Sequence, residues 1–69
     1  MERRANLEKF RKSLGLTIEQ MADELGYTRS YLNDIELGKK IGSVEFWQRF
    51  QAVFGIKNHE MWDFVVGGA

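Results

Sequence analysis

The chain has 69 residues, 43% of them hydrophobic and 29% charged, and its ten basic and ten acidic groups cancel. That length predicts one small domain over 1–69 with a modest core, and the absence of cysteine excludes disulfide bonds and thiolate–metal sites. No apolar run approaches the roughly 20 residues of a membrane helix, and the start MERRANLEKF has no apolar h-region, so a cytoplasmic setting is expected.

Charge is distributed unevenly. Residues 1–16 carry five basic and two acidic groups, a net of +3, whereas Glu19, Asp23 and Glu24 give residues 17–27 a net of −3. Residues 28–42 sum to +1 and residues 43–69 to −1. A basic footprint is the usual mark of a nucleic-acid binder. This chain lacks a strong one, which argues against tight binding driven by charge alone.

Helical signals follow one another along the chain. Leu7, Phe10 and Leu14 share the i, i+3, i+7 spacing of a first helix that ends near Gly15. Thr17 then reads as an N-cap, with Gln20 three residues later completing a capping box. Ile18, Met21, Ala22 and Leu25 form the apolar stripe of a second helix, which Gly26 stops. Thr28 is the next cap, and Leu32 and Ile35 give a third helix its buried face before Gly38. Ser43 caps a fourth helix, with Glu45 in its first turn and apolar Val44, Trp47, Phe50, Val53 and Phe54, ended by Gly55. Asn58 is expected to cap a short fifth helix running to about Val66, beyond which Gly67 and Gly68 fray. No hairpin signal occurs. The predicted fold is all-α, a compact bundle of about five short helices.

Two short helices only a few residues apart must cross steeply, which needs a small residue at the crossing and a glycine in the turn. Ala22, Gly26 and Leu32 supply close approach, sharp turn and buried plug, the logic of a helix-turn-helix at about 17–37. The pattern from Arg11 to Thr17, the stretch MADELGYTRSYLNDIE and the ELGKK that follows extend the match. Together these residues resemble the phage-repressor-like (Cro/C1-type, XRE) helix-turn-helix family over roughly residues 7–56. The resemblance implies a lambda-repressor-like domain that binds double-stranded DNA sequence-specifically, commonly as a dimer on a palindromic operator, to regulate transcription. It also implies a structural salt bridge between Arg11 and Glu36.

In the resembled family the start of the third helix faces base edges. Carried over position by position, Arg29 would make two hydrogen bonds to guanine, and Ser30 would reach a base or phosphate. Asn33 would read adenine. Asp34 has two readings: acceptor from cytosine N4, or partner of Ser30 or a nearby cation in the free protein. Tyr31 would split its ring between core and surface with its hydroxyl near the phosphates. Thr17 and Thr28 are caps first, at helix starts whose amides suit phosphate oxygens. Lys39 and Lys40 are further phosphate partners. Two positions depart from the family: Ile18 and Leu37 stand where polar or basic residues usually meet the DNA backbone. Fewer donors mean weaker binding with a shallower salt dependence, and apolar residues on this face equally suit a protein partner.

The segment EFWQRFQAVFGIKNHEMWDFVVGG holds more aromatic bulk than a small core needs. The surplus predicts a homodimer through helices four and five (about 43–66), the region such proteins often use. His59, the lone histidine, has no companion ligand, so no metal site is expected. The leading function is a DNA-binding regulator, a repressor of the prophage, plasmid or mobile-element type. The alternative is a protein-interaction module, a repressor modulator or antitoxin-like partner with little DNA affinity. An enzyme is not expected, because no phosphate loop, Cys–His pair or nucleophile with a base is present.

Overall fold

The computed structural model describes residues 3–66 of the chain. Five helices follow in order: α1 (Ala5–Ser13), α2 (Ile18–Leu25), α3 (Arg29–Glu36), α4 (Val44–Phe54) and α5 (Asn58–Val66). No strand occurs among the described residues.

The helix ends follow from local chemistry. Thr17 accepts from the Gln20 amide at 3.1 Å while the Gln20 side chain accepts from the Thr17 amide at 2.9 Å, a complete capping box. Thr28 accepts from the Tyr31 amide and Ser43 from the Phe46 amide, starting α3 and α4. Gly26 ends α2 at φ 76°, a conformation that only a residue without Cβ adopts freely. Gly42 is bound more tightly: at φ 87° an added Cβ would also lie 2.9 Å from the Trp47 indole nitrogen.

Each helix then buries one face. Met21, Ala22 and Leu25 of α2 press on Leu32 and Ile35 of α3, and Ala22 is the small residue at the crossing. Leu7 of α1 and Phe46, Trp47 and Phe50 of α4 complete the centre, with Ile56 beneath the α4–α5 turn. Phe10 meets Phe50, Phe54 and Phe64 edge-to-face at 5.7, 5.6 and 5.2 Å, joining α1, α4 and α5. Such ring pairs add about 0.5–1.5 kcal/mol each beyond the area they bury.

Of the apolar residues of α4, Phe46, Trp47 and Phe50 are buried while Val44 and Val53 face outward. Two expectations are revised. Leu14 lies past the end of α1 and is exposed rather than on its apolar face. Asn58 is the first residue of α5 rather than its cap; its side-chain oxygen accepts from Gln51, and Glu60 satisfies the preceding Lys57 amide at 3.1 Å.

Candidate nucleic-acid interface

Beyond the Thr28 cap, α3 begins with Arg29 and Ser30, both exposed. Asn33 and Asp34 lie one turn on and are half-buried. No acidic residue occupies the first turn of α3, so the positive end of its dipole is uncompensated from within the helix. The α3 side of the surface thus offers a guanidinium, a hydroxyl and a carboxamide, groups that pair with guanine, with any base or phosphate, and with adenine.

An open depression separates the starts of α2 and α3, lined by Arg11, Thr17, Ile18, Glu19 and Arg29. The capping box occupies the amides of Thr17 and Gln20, so those of Ile18 and Glu19 remain for an outside acceptor. Arg29 faces the same depression and favours an anion there. The Glu19 carboxylate opposes one. Ile18 is half-buried and packs on the core, so its apolar side chain serves the fold even though it donates nothing to a phosphate.

Tyr31 stacks on Tyr27 with ring centroids 5.1 Å apart and meets Phe46 edge-on. Its hydroxyl oxygen accepts from the Ser43 amide at 3.1 Å and keeps its own proton for a further acceptor. The Lys40 ammonium lies 5.4 Å from the Tyr31 ring centre and 3.6 Å from the Asp34 carboxylate. Of the two readings of Asp34, the free protein thus has the pairing with a nearby cation. Lys39 and Lys40 are exposed, and their amides bond back to the Asp34 carbonyl, which wraps the loop against the end of α3. Leu37 is half-buried directly before that loop.

Arg11 and Glu36 are both buried and form a two-pronged ion pair, 2.8 Å from Nε to Oε2 and 3.3 Å from Nη2 to Oε1. The Arg11 Nη1 also donates to the Leu16 carbonyl at 2.8 Å, pinning the turn that leads into α2. This pair joins α1 to α3 beneath the exposed surface.

A second buried arginine has no counterpart in the sequence reading. Arg4 is only 3% exposed, and its guanidinium donates to the carbonyls of Ile35, Lys40 and Val65 at 2.7, 2.8 and 2.9 Å. Burial pushes its pKa below the ordinary arginine value, yet a guanidinium surrounded by carbonyls remains protonated. The signal for it was present: a cation at the start of a helix opposes the dipole, and such a mismatch marks a residue with another task.

With this geometry in view, the chain matches the family model described as Helix-turn-helix over residues 7–58, and it belongs to that family, the Cro/C1-type, XRE-like helix-turn-helix proteins. No curated protein and no solved structure matches it with significance. The family is regulatory and not enzymatic, which sets the class of the chain as a DNA-binding regulator of the XRE type, with double-stranded DNA as ligand. Among the described residues no helix is long and apolar enough to cross a membrane.

Proposed function

We propose that the chain, as a single domain over 1–69, is a cytoplasmic, sequence-specific transcriptional repressor of the prophage, plasmid or mobile-element type. It inserts α3 into the major groove. The observation that carries this reading is the uncovered start of α3, where Arg29 and Ser30 stand exposed beyond the Thr28 cap. Arg29 reads guanine, Asn33 reads adenine, and Ser30 meets a base or phosphate. Thr17, Thr28, Tyr31, Lys39 and Lys40 set the backbone register, as phosphate contacts do. In the complex Asp34 either keeps Lys40 or exchanges it for a cytosine amine.

A homodimer through α4 and α5 places two α3 helices about 34 Å apart, one turn of DNA. Exposed Trp62 and Val66 on one face of α5, and Ile41 and Val44 at the start of α4, supply the apolar surface it needs.

Selection of bound duplexes from a random DNA pool, repeated with Arg29→Ala, tests the reading. The wild-type chain should enrich one motif, and the substitution should blur it at one base pair, costing about 1–3 kcal/mol there. A second reading, a protein-interaction module of the repressor-modulator or antitoxin type, draws on Glu19 and Asp34, whose carboxylates oppose phosphate on this surface. Absence of any enriched motif, with no retention on heparin at low salt, selects it.

A further inference from the structure

The four final carbonyls of a helix lack partners inside it, and a cation close to them is favoured by the dipole. Neither α3 nor α5 has a basic residue in its last turn. Arg4, from outside both, takes that place. Its backbone amide donates to the Glu36 carbonyl at 2.8 Å and its Nη1 to the Ile35 carbonyl at 2.7 Å, finishing α3. Its Nε donates to the Val65 carbonyl at 2.9 Å, finishing α5. The same guanidinium holds the loop between α3 and α4 through the Lys40 carbonyl at 2.8 Å and the Ile41 carbonyl at 3.4 Å. It lies 5.8 Å from the centre of the Trp47 ring, whose Nε1 also donates to the Ile41 carbonyl at 2.9 Å.

One planar cation therefore fixes the end of the recognition helix, the loop that carries Lys39 and Lys40, and the end of α5. An apolar side chain would fill the same volume without the desolvation cost of a buried charge. What it cannot do is order four carbonyls from three separate segments.

We infer that Arg4 is a positioning residue for DNA binding: it holds the Lys39–Lys40 loop in the conformation that meets phosphate and ties it to the end of α5. This rests on the DNA-binding reading above and extends it to a residue remote from the exposed start of α3. It predicts that removing the guanidinium loosens the loop and lowers the number of phosphate contacts, beyond any general loss of stability.

Arg4→Met tests this, compared with Leu7→Ala, a truncation in the buried face of α1. Both variants are studied well below their melting temperatures, with wild-type helix content verified by circular dichroism. Hydrogen exchange of the Lys39 and Lys40 amides, both bonded to the Asp34 carbonyl, should quicken about tenfold in Arg4→Met and stay at the wild-type rate in Leu7→Ala. The slope of log K against log salt on a duplex should fall by one to two in Arg4→Met, at about 0.9 per lost phosphate contact, and hold in Leu7→Ala. Adding Lys39→Ala and Lys40→Ala to Arg4→Met should then lower the slope no further. If Arg4→Met does not fold, Arg4→Lys, which keeps the charge but not the planar fork, is read by the same two measurements. Unchanged exchange and slope at Arg4, or equal changes in Leu7→Ala, overturn the inference. Exchange needs no DNA, so a wild-type chain that ignores duplexes sinks the DNA reading while the loop assignment is still decided.

Discussion

The α2–α3 unit and α5 are built in opposite ways. In α2 and α3 the start signals are local: a capping box at Thr17, a Thr28 cap, and Gly26 between them. Each of those helices then buries three residues. α5 has no fully buried residue, and distant side chains hold it: Phe10 on Phe64, the Arg4 guanidinium on the Val65 carbonyl, and Asn6 on the Asp63 carbonyl. A surface that must present side chains at fixed positions is made by short-range rules and a shared core. The last helix is instead held from outside, by side chains of the first, and keeps Trp62 and Val66 exposed.

The largest test of that contrast strikes what the two regions share. Phe50 is fully buried and touches the ring cluster, so Phe50→Ala should cost about 3–5 kcal/mol. For a chain of this size total stability is roughly 3–10 kcal/mol, so urea titration should find the variant close to unfolding in water. Arg11→Met comes next. It strands the buried Glu36 carboxylate and should cost about 3–5 kcal/mol, whereas Arg11→Met with Glu36→Leu should recover most of the loss. Failure of the double variant to recover would show that the pair is needed for more than its own neutrality.

Smaller changes separate the two regions. Thr17→Ala removes one side of the capping box and should cost about 1 kcal/mol, with faster amide exchange in the first turn of α2 and none in α5. Equal loosening of α5 would break the contrast. Asp34→Asn should move stability by less than about 0.5 kcal/mol, because its ion pair with Lys40 is partly solvated. The same change frees Lys40 and removes a charge that repels phosphate, so duplex affinity, measured by fluorescence anisotropy at low salt, should rise severalfold.

The same division decided what could be read from the sequence. The five helices, the caps at Thr17, Thr28 and Ser43, and the turn at Gly26 rest on neighbours three or four residues apart, and all are visible in the order of residues. The exposure of Arg29 and Ser30 follows from the Leu32–Ile35 face being buried. The environment of Asp34 was half legible, since pairing with Ser30 or a nearby cation was one of its two readings but Lys40 was not singled out. Arg4 was legible only as a cation out of place at a helix start; its task was not, because its acceptors are backbone carbonyls 31 to 61 residues away that leave no mark on side-chain pattern. Leu14 was misplaced for a related reason: helical periodicity identifies a face, but the neighbours decide how far along the helix that face is covered.

The two tryptophans fall on either side of this divide. Trp47 is 8% exposed in the centre, and Trp62 is 71% exposed on α5. An indole shielded from solvent emits further to the blue than one in water, so the intrinsic emission of the chain has two separable components. The blue component tracks integrity of the interior, while the red one is quenched by iodide and responds to whatever settles on the last helix. The state of the interior and the surroundings of the last helix can therefore be followed in one cuvette, without a label, by the colour of the light.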